Sequence, residues 1–242
     1  MLLEIVFGDI ESSVIVRVDK FSDNIMKSLP FESKALIWKQ EVYFSTPIEI
    51  DGIEDIYRVE RGKVYYWKPG KALCLFYGIS QVYTPAIYIG EIIDPLNRLY
   101  GVSEGYKIKV YEHRVHSEFS DIVKLLKGMG YSVATPLDSG NKVIVALRYV
   151  DGFRISFAIY VEEYGLHLES EAISRYSDDI SSFVWISKLK KLVEENTDIA
   201  RLDITEDNLL TVTVALRSID ELRKGVLELE KALTTIYRYL VT

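Results

Sequence analysis

The sequence predicts a β-barrel or β-sandwich over residues 1–115, followed by an α+β domain over residues 116–242. Three observations predict this. Residues 1–115 break into short apolar segments with frequent Gly and Pro punctuation, the pattern of a closed or doubled antiparallel sheet. The stretch from Val59 to Gly78 is densely aromatic and reads as two strands around a Lys68-Pro69-Gly70 turn. Beyond residue 115, several segments carry their apolar residues three and four apart, the period of amphipathic helices.

In the first half, Leu2–Phe7 and Ser13–Val18 alternate on either side of Gly8-Asp9, a hairpin signal. Phe21–Leu29 reads as a short helix with Ser22 as N-cap, with Ile25, Met26 and Leu29 at helical spacing and Pro30 as the stop. Glu41–Ser45, Ile56–Val59, Lys63–Trp67, Ala72–Tyr77, Ala86–Ile92 and Lys107–His113 are the remaining strands. In the second half, helix Phe119–Met129 presents Phe119, Ile122, Val123, Leu126 and Met129 on one face and ends at Gly128 and Gly130. Strands Lys142–Val150 and Phe153–Glu162 join at Asp151-Gly152, a strong hairpin turn, and Leu166–Ala172 follows. A helix over Asp179–Glu195 directs Phe183, Ile186, Leu189, Leu192 and Val193 inward. Strands Ala200–Thr205 and Leu209–Leu216 precede a long last helix that opens on Ser218, with Glu221 at the capping-box position. The order of this half is α-β-β-β-α-β-β-α.

Composition narrows the function classes. Nearly half of the 242 residues are apolar (48%), enough for well-packed cores. The net charge is −7, with 14 basic and 16 acidic residues in 1–115 and 15 and 20 in 116–242. Neither half has the basic excess of a general nucleic-acid binder. One cysteine, Cys74, excludes an intramolecular disulfide, and its place in the apolar run Ala72–Phe76 predicts a buried, inert thiol. Met1–Val6 lacks the basic start and cleavage site of a signal peptide, and no run approaches the ~20 apolar residues of a membrane span. A soluble, cytoplasmic protein is expected, with no membrane or nucleic-acid partner. Two glutamines, one cysteine and abundant Ile, Tyr, Lys and Glu also read as a thermophile's composition.

Two motifs carry a family resemblance. Trp38-Lys39-Gln40-Glu41-Val42-Tyr43-Phe44 and the run from Gly62 through Tyr65-Tyr66-Trp67-Lys68-Pro69-Gly70 to Ala72-Leu73-Cys74 resemble the corresponding segments of a prokaryotic family of minimal cyclophilin-like proteins. Ala86–Ile92 and Lys107–Tyr111 complete a resemblance over about the first 115 residues. It implies an all-β cyclophilin-like barrel with a short helix at one end. It does not extend to the isomerase chemistry. Active cyclophilins carry an arginine in a Phe-His-Arg segment, a Gln-Gly-Gly-Asp run, a Gln-Phe-Phe strand and a histidine before a Val-Val-Phe-Gly strand. The corresponding stretches here, Trp38–Phe44, Leu73–Phe76 and Pro85–Gly90, contain no arginine or histidine. Prolyl isomerisation needs a cation or strong donor near the prolyl nitrogen to lower a barrier of ~18–20 kcal/mol.

What remains is an aromatic constellation of Trp38, Tyr43, Phe44, Tyr66, Trp67 and Tyr83 with Glu41 and Gln81 as polar members. Such residues either fill a barrel or wall a site for a small ligand or an extended peptide. Strand alternation sends either Tyr66 or its neighbours Tyr65 and Trp67 inward. The element order of residues 116–242 resembles the type III secretion chaperone-like fold, which implies a partner-binding domain and a homodimer through it. The last helix would then face a partner or pack on its own sheet.

Other candidates are weaker. His113 and His116, three apart in the linker, read as a solvated pair rather than metal ligands. His167 reads as an exposed strand residue. Gly62–Gly70 lacks the Gly-Lys-Ser/Thr of a phosphate loop. Glu162-Glu163 and Asp178-Asp179 are adjacent, so strand geometry points them apart rather than into a paired-carboxylate site. The expectation is a binding or adaptor protein with no cofactor, no metal and no catalytic residue. The alternatives are a peptidyl-prolyl isomerase or folding helper, and an enzyme acting on a small molecule in the aromatic cleft.

Overall fold

Alternation in the first two segments builds an antiparallel hairpin in the computed structural model, which describes residues 1–53 and 55–241. Strands β1 (Leu2–Phe7) and β2 (Ser12–Val18) pair Leu3 with Val16 and Ile5 with Val14. Leu3, Ile5 and Phe7 meet Val14, Val16 and Val18 in one buried cluster. Helix α1 (Ser22–Ser28) adds Ile25 to it. Then come β3 (Phe31–Lys34), β4 (Leu36–Trp38), β5 (Glu41–Ser45), β6 (Lys63–Trp67), β7 (Ala72–Phe76), β8 (Ile87–Ile92) and β9 (Lys107–Glu112). Among the described residues these nine strands form one sheet in the order β3-β9-β1-β2-β8-β6-β7-β5-β4. The sheet curls into a nearly closed barrel. Across its seam the Ser33 hydroxyl donates to the Ser45 carbonyl at 2.8 Å, and Phe31 lies 6.4 Å from Phe44. Gly90 lets β8 close on β2, because a Cβ there would collide with the Arg17 carbonyl.

The expected strand at Ile56–Val59 is absent. It is reduced to a bridge between Ile56 and Ala86. Val59 finds its pairing elsewhere, since its N–H donates to Gln81 Oε1 (3.1 Å) and its carbonyl accepts from Gln81 Nε2 (3.0 Å). One side-chain amide stands in for a neighbouring strand.

The chain divides into two compact units. The first is Met1–His116 with Ala134–Lys142, and the second is Ser117–Val133 with Val143–Thr242. Residues 134–142 are thus a part of the barrel unit that the sequence assigns to the second half. Following α2 (Ser120–Gly128) and β10 (Ser132–Ala134), this segment forms the small hairpin β11 (Leu137–Asp138) and β12 (Asn141–Lys142). Ser13 Oγ accepts from the Leu137 N–H, and Ser12 Oγ accepts from the Ser139 N–H, both at 2.9 Å. The Gly140 N–H donates to the Glu11 carbonyl at 2.8 Å. Arg98 donates to the Leu137 carbonyl and pairs with Asp94 (3.2 Å) and Asp138 (3.0 Å).

In the second unit, β13 (Ile144–Val150), β14 (Phe153–Glu162) and β15 (Gly165–Ser170) form a meander. They are followed by β16 (Ser174–Arg175), α3 (Ile180–Asn196), β17 (Arg201–Ile204), β18 (Leu209–Leu216) and α4 (Leu222–Val241). The sheet runs β10-β13-β14-β15-β18-β16, with β17 also on β18. The last helix packs on its own sheet, burying Leu222, Val226, Leu229, Leu233 and Ile236. Its start differs from expectation. A 3₁₀ turn, Ile219–Glu221, precedes it, the Ser218 hydroxyl makes no cap bond, and Glu221 accepts from the Arg217 N–H at 2.9 Å. In α3 the buried side chains are Leu189 and Val193, whereas Phe183, expected inward, is 66% exposed. The first two turns of α3 also leave Ile180 and Val184 exposed, so the apolar spacing there is not matched by burial.

Candidate functional site

Period-two alternation in three adjacent strands sorts the aromatic constellation. In β5, Val42 and Phe44 point into the barrel, which leaves Glu41 and Tyr43 on the outer face. Leu73 and Leu75 of β7 point inward, leaving Cys74 and Phe76 outside. The same rule in β6 buries Val64 and Tyr66 inside and places Tyr65 and Trp67 outside. The pairs Tyr43–Cys74 and Glu41–Phe76 are directly opposed across the β5–β7 ladder. The outer face of these strands is the floor of a cavity of about 210 Å³. Trp38 at the end of β4 forms one wall, and Val82, Tyr83, Thr84 and Ala86 of the β7–β8 loop form the other.

That loop is held at both ends. The Gln40 N–H donates to Ser80 Oγ, the Ile79 N–H donates to Gln40 Oε1, both at 2.9 Å, and Gln81 clasps Val59 as described. Trp67 Nε1 donates to Thr84 Oγ1 at 3.0 Å, fixing one ring against the loop. Its other side lies on Gly70, where any Cβ would collide with the indole. Trp38 and Tyr83 meet edge to face, 5.0 Å between centroids. The Lys39 ammonium sits 4.3 Å from the Trp38 ring and 5.4 Å from the Tyr83 ring. Tyr83 is the lip of the cavity at 85% exposure.

At the floor, Glu41 is 5% exposed and Cys74 4%. Burial raises the Glu41 carboxyl above its ordinary value, opposed by a hydrogen bond from Cys74. Burial, with the adjacent carboxylate, pushes the Cys74 thiol well above its usual range. Cys74 is therefore the buried, protonated thiol that its sequence context predicts. Among the described residues, no arginine, lysine or histidine lines the cavity.

The structure brings together Trp38, Glu41, Tyr43, Trp67 and Tyr83 of the expected constellation. Phe44 and Tyr66 lie instead in the barrel core, the latter donating its hydroxyl to the Ile48 carbonyl at 2.9 Å. Their strand parity is opposite to that of Glu41, Tyr43 and Trp67. Gln81 braces the loop from outside the cavity. Sequence reasoning missed Cys74, Phe76, Val82, Thr84 and Ala86 as lining residues. The parity of β7 relative to β5 was a signal for the first two.

His113 corrects another expectation. It is buried rather than solvated, with its Nδ1 2.7 Å from Glu4 Oε2 and its Nε2 accepting from the Thr135 N–H at 3.2 Å. That acceptance places the ring proton on Nδ1, facing Glu4. Ser13 Oγ donates to the other Glu4 oxygen at 2.7 Å. Thr135, His113 and Glu4 have the order of a nucleophile-base-acid relay, but Thr135 is fully buried and admits no substrate. Their role is to hold residues 134–142 to the barrel. His167 is half-buried and its pKa is lowered, by burial first and then by Arg201. Among the described residues, no group of three or more His, Cys, Asp or Glu side chains could hold a metal ion. No helix among them is long and apolar enough to cross a membrane.

A curled antiparallel barrel with a short helix and a ligand-sized outer cleft defines a barrel-fold protein class. Residues 1–111 match the family model described as Cyclophilin-like. A hypothetical protein from Archaeoglobus fulgidus, solved in solution, is 31% identical over 46% of this chain and 94% of its own, with a TM-score of 0.39. Residues 1–111 therefore belong to the cyclophilin-like family. No curated protein matches the chain significantly.

Proposed function

We propose that the protein is a non-catalytic binding or adaptor protein whose barrel receives a small ligand, or one side chain of an extended peptide, in the outer aromatic cavity. One observation carries this reading: the cavity is preformed, with a buried floor and a lid loop bonded at both ends. Preorganisation of this kind lowers the ordering penalty of binding. Among the described residues, no cationic side chain lines the cavity to weaken a prolyl amide, which favours binding over isomerisation. The second unit would then recruit a partner, the role that the expected α-β-β-β-α-β-β-α order implies, to which the order found adds β10 and β16.

Two measurements test the proposal. A coupled protease assay with a proline tetrapeptide is expected to give the buffer rate at micromolar protein, and acceleration would overturn the non-catalytic assignment. An NMR screen of small aromatic and peptide ligands is expected to shift the indole resonances of Trp38 and Trp67. A screen that moves neither indole removes the cavity as a binding site.

A further inference from the structure

We infer that the cavity selects a methylated ammonium cation, with Glu41 as counter-ion and the surrounding rings as its cage. The inference rests on the binding reading above and adds the charge of the occupant. Three other buried acids of the barrel unit have partners on hand: Glu4 has His113 and Ser13, Glu91 has Arg17 and Lys63, and Asp94 has Arg98. Glu41, also buried, has among the described residues only the Cys74 thiol as a partner, and it lines the cavity. A buried carboxylate without a cation is unfavourable, and a ligand that supplies one removes that penalty.

The walls fit the same occupant. Trp38, Tyr43, Trp67 and Tyr83 line the same cavity as the carboxylate, and aromatic faces attract cations. The protein's own Lys39 ammonium already rests on the Trp38–Tyr83 pair. A bare ammonium would leave N–H donors unsatisfied against apolar rings, while methyl groups pack there and leave the charge intact. The volume of about 210 Å³ exceeds several-fold the ~30 Å³ share of one water and accommodates a trimethylammonium head. The group can arrive on a free small molecule or on a methylated lysine of a peptide.

The intact protein is titrated with choline, with dimethylbutanol (its neutral carbon isostere), and with a short peptide carrying trimethyllysine. Tryptophan emission is the readout, since two of the three tryptophans line the cavity. Choline or the peptide is expected to bind about tenfold tighter than the isostere. Whichever of the two binds tighter identifies the source. Glu41→Gln should bring cation and isostere to near parity. In the unaltered protein the preference should fade as pH falls through the raised carboxyl range of Glu41, a readout independent of how the variant folds. Equal affinity for choline and isostere overturns the charge inference and leaves the cavity as a neutral binding site. Absence of any response, to these ligands and to the wider screen, overturns both readings.

Discussion

Glu41 is a carboxylic acid in a place where its charge is disfavoured, and this has a thermodynamic consequence. Because burial raises its carboxyl above the unfolded value, the native state binds that proton more tightly than the unfolded chain does. Its contribution to stability is therefore fully present below the unfolded value and is lost as pH rises through the folded one. Asp94, pushed up to about 6 by complete burial against the pull of Arg98, has the same sign. Glu41→Gln should raise the stability of the ligand-free protein at neutral pH, on the order of 1 kcal/mol, and the gain should vanish in acid. Thermal melts at the two pH values measure this, and a gain equal at both would mean that the Glu41 charge is not destabilising. At this scale much of the site was legible. Trp38, Glu41, Tyr43, Trp67 and Tyr83 of the expected constellation line one cavity. Parity excluded Phe44 and Tyr66, once one strand's inward residue was known. His113 was not legible, because its carboxylate partner lies 109 residues away in the sequence.

Among the elements, the β7–β8 loop matters most to the cavity, and Gln81 is its clasp. Its amide supplies both the donor and the acceptor that Val59 lacks. Gln81→Ala should leave two backbone groups at Val59 seeking water and free the loop from the barrel. The Val59 amide is expected to exchange with solvent about tenfold faster, with little change in global melting. Unchanged protection at Val59 would show that the loop is held by its other bonds alone. Sequence reading found β1, β2, β14 and β18, whose central residues form unbroken, mostly apolar buried runs, and α4, which buries one face. It placed a strand at Ile56–Val59, since it reads apolar spacing and not which donor satisfies a backbone. It also passed over β3, which alternates half-buried and exposed residues but has only Phe31 as an apolar member, and the three-residue β4, which is half-buried throughout. In α3 the apolar spacing continues through Ile180, Phe183 and Val184, yet these are exposed. Period predicts a helix there but not what, if anything, covers its face.

The whole chain does not divide at one point. Cutting near residue 115 leaves out residues 134–142, whose backbone bonds to Ser12, Ser13, Glu11 and Arg98. A fragment of residues 1–115 is therefore expected to fold with a loosened β2 face. The Ile15 amide, which donates to Asp94 at 2.7 Å, should exchange about tenfold faster in the fragment than in the full chain. Equal protection in both would mean that the returning segment adds nothing to the barrel. No local pattern reveals such a return, because Thr135–Lys142 reads as an ordinary Pro- and Gly-containing connection. The order of biosynthesis gives it further meaning. During synthesis β9 leaves the ribosome before residues 137–142 do, so the barrel's nine strands emerge before Ser12, Ser13 and Arg98 meet their partners in that segment. The barrel unit reaches its final set of hydrogen bonds only when residue 142 has left the exit tunnel, which makes its completion a late event in translation.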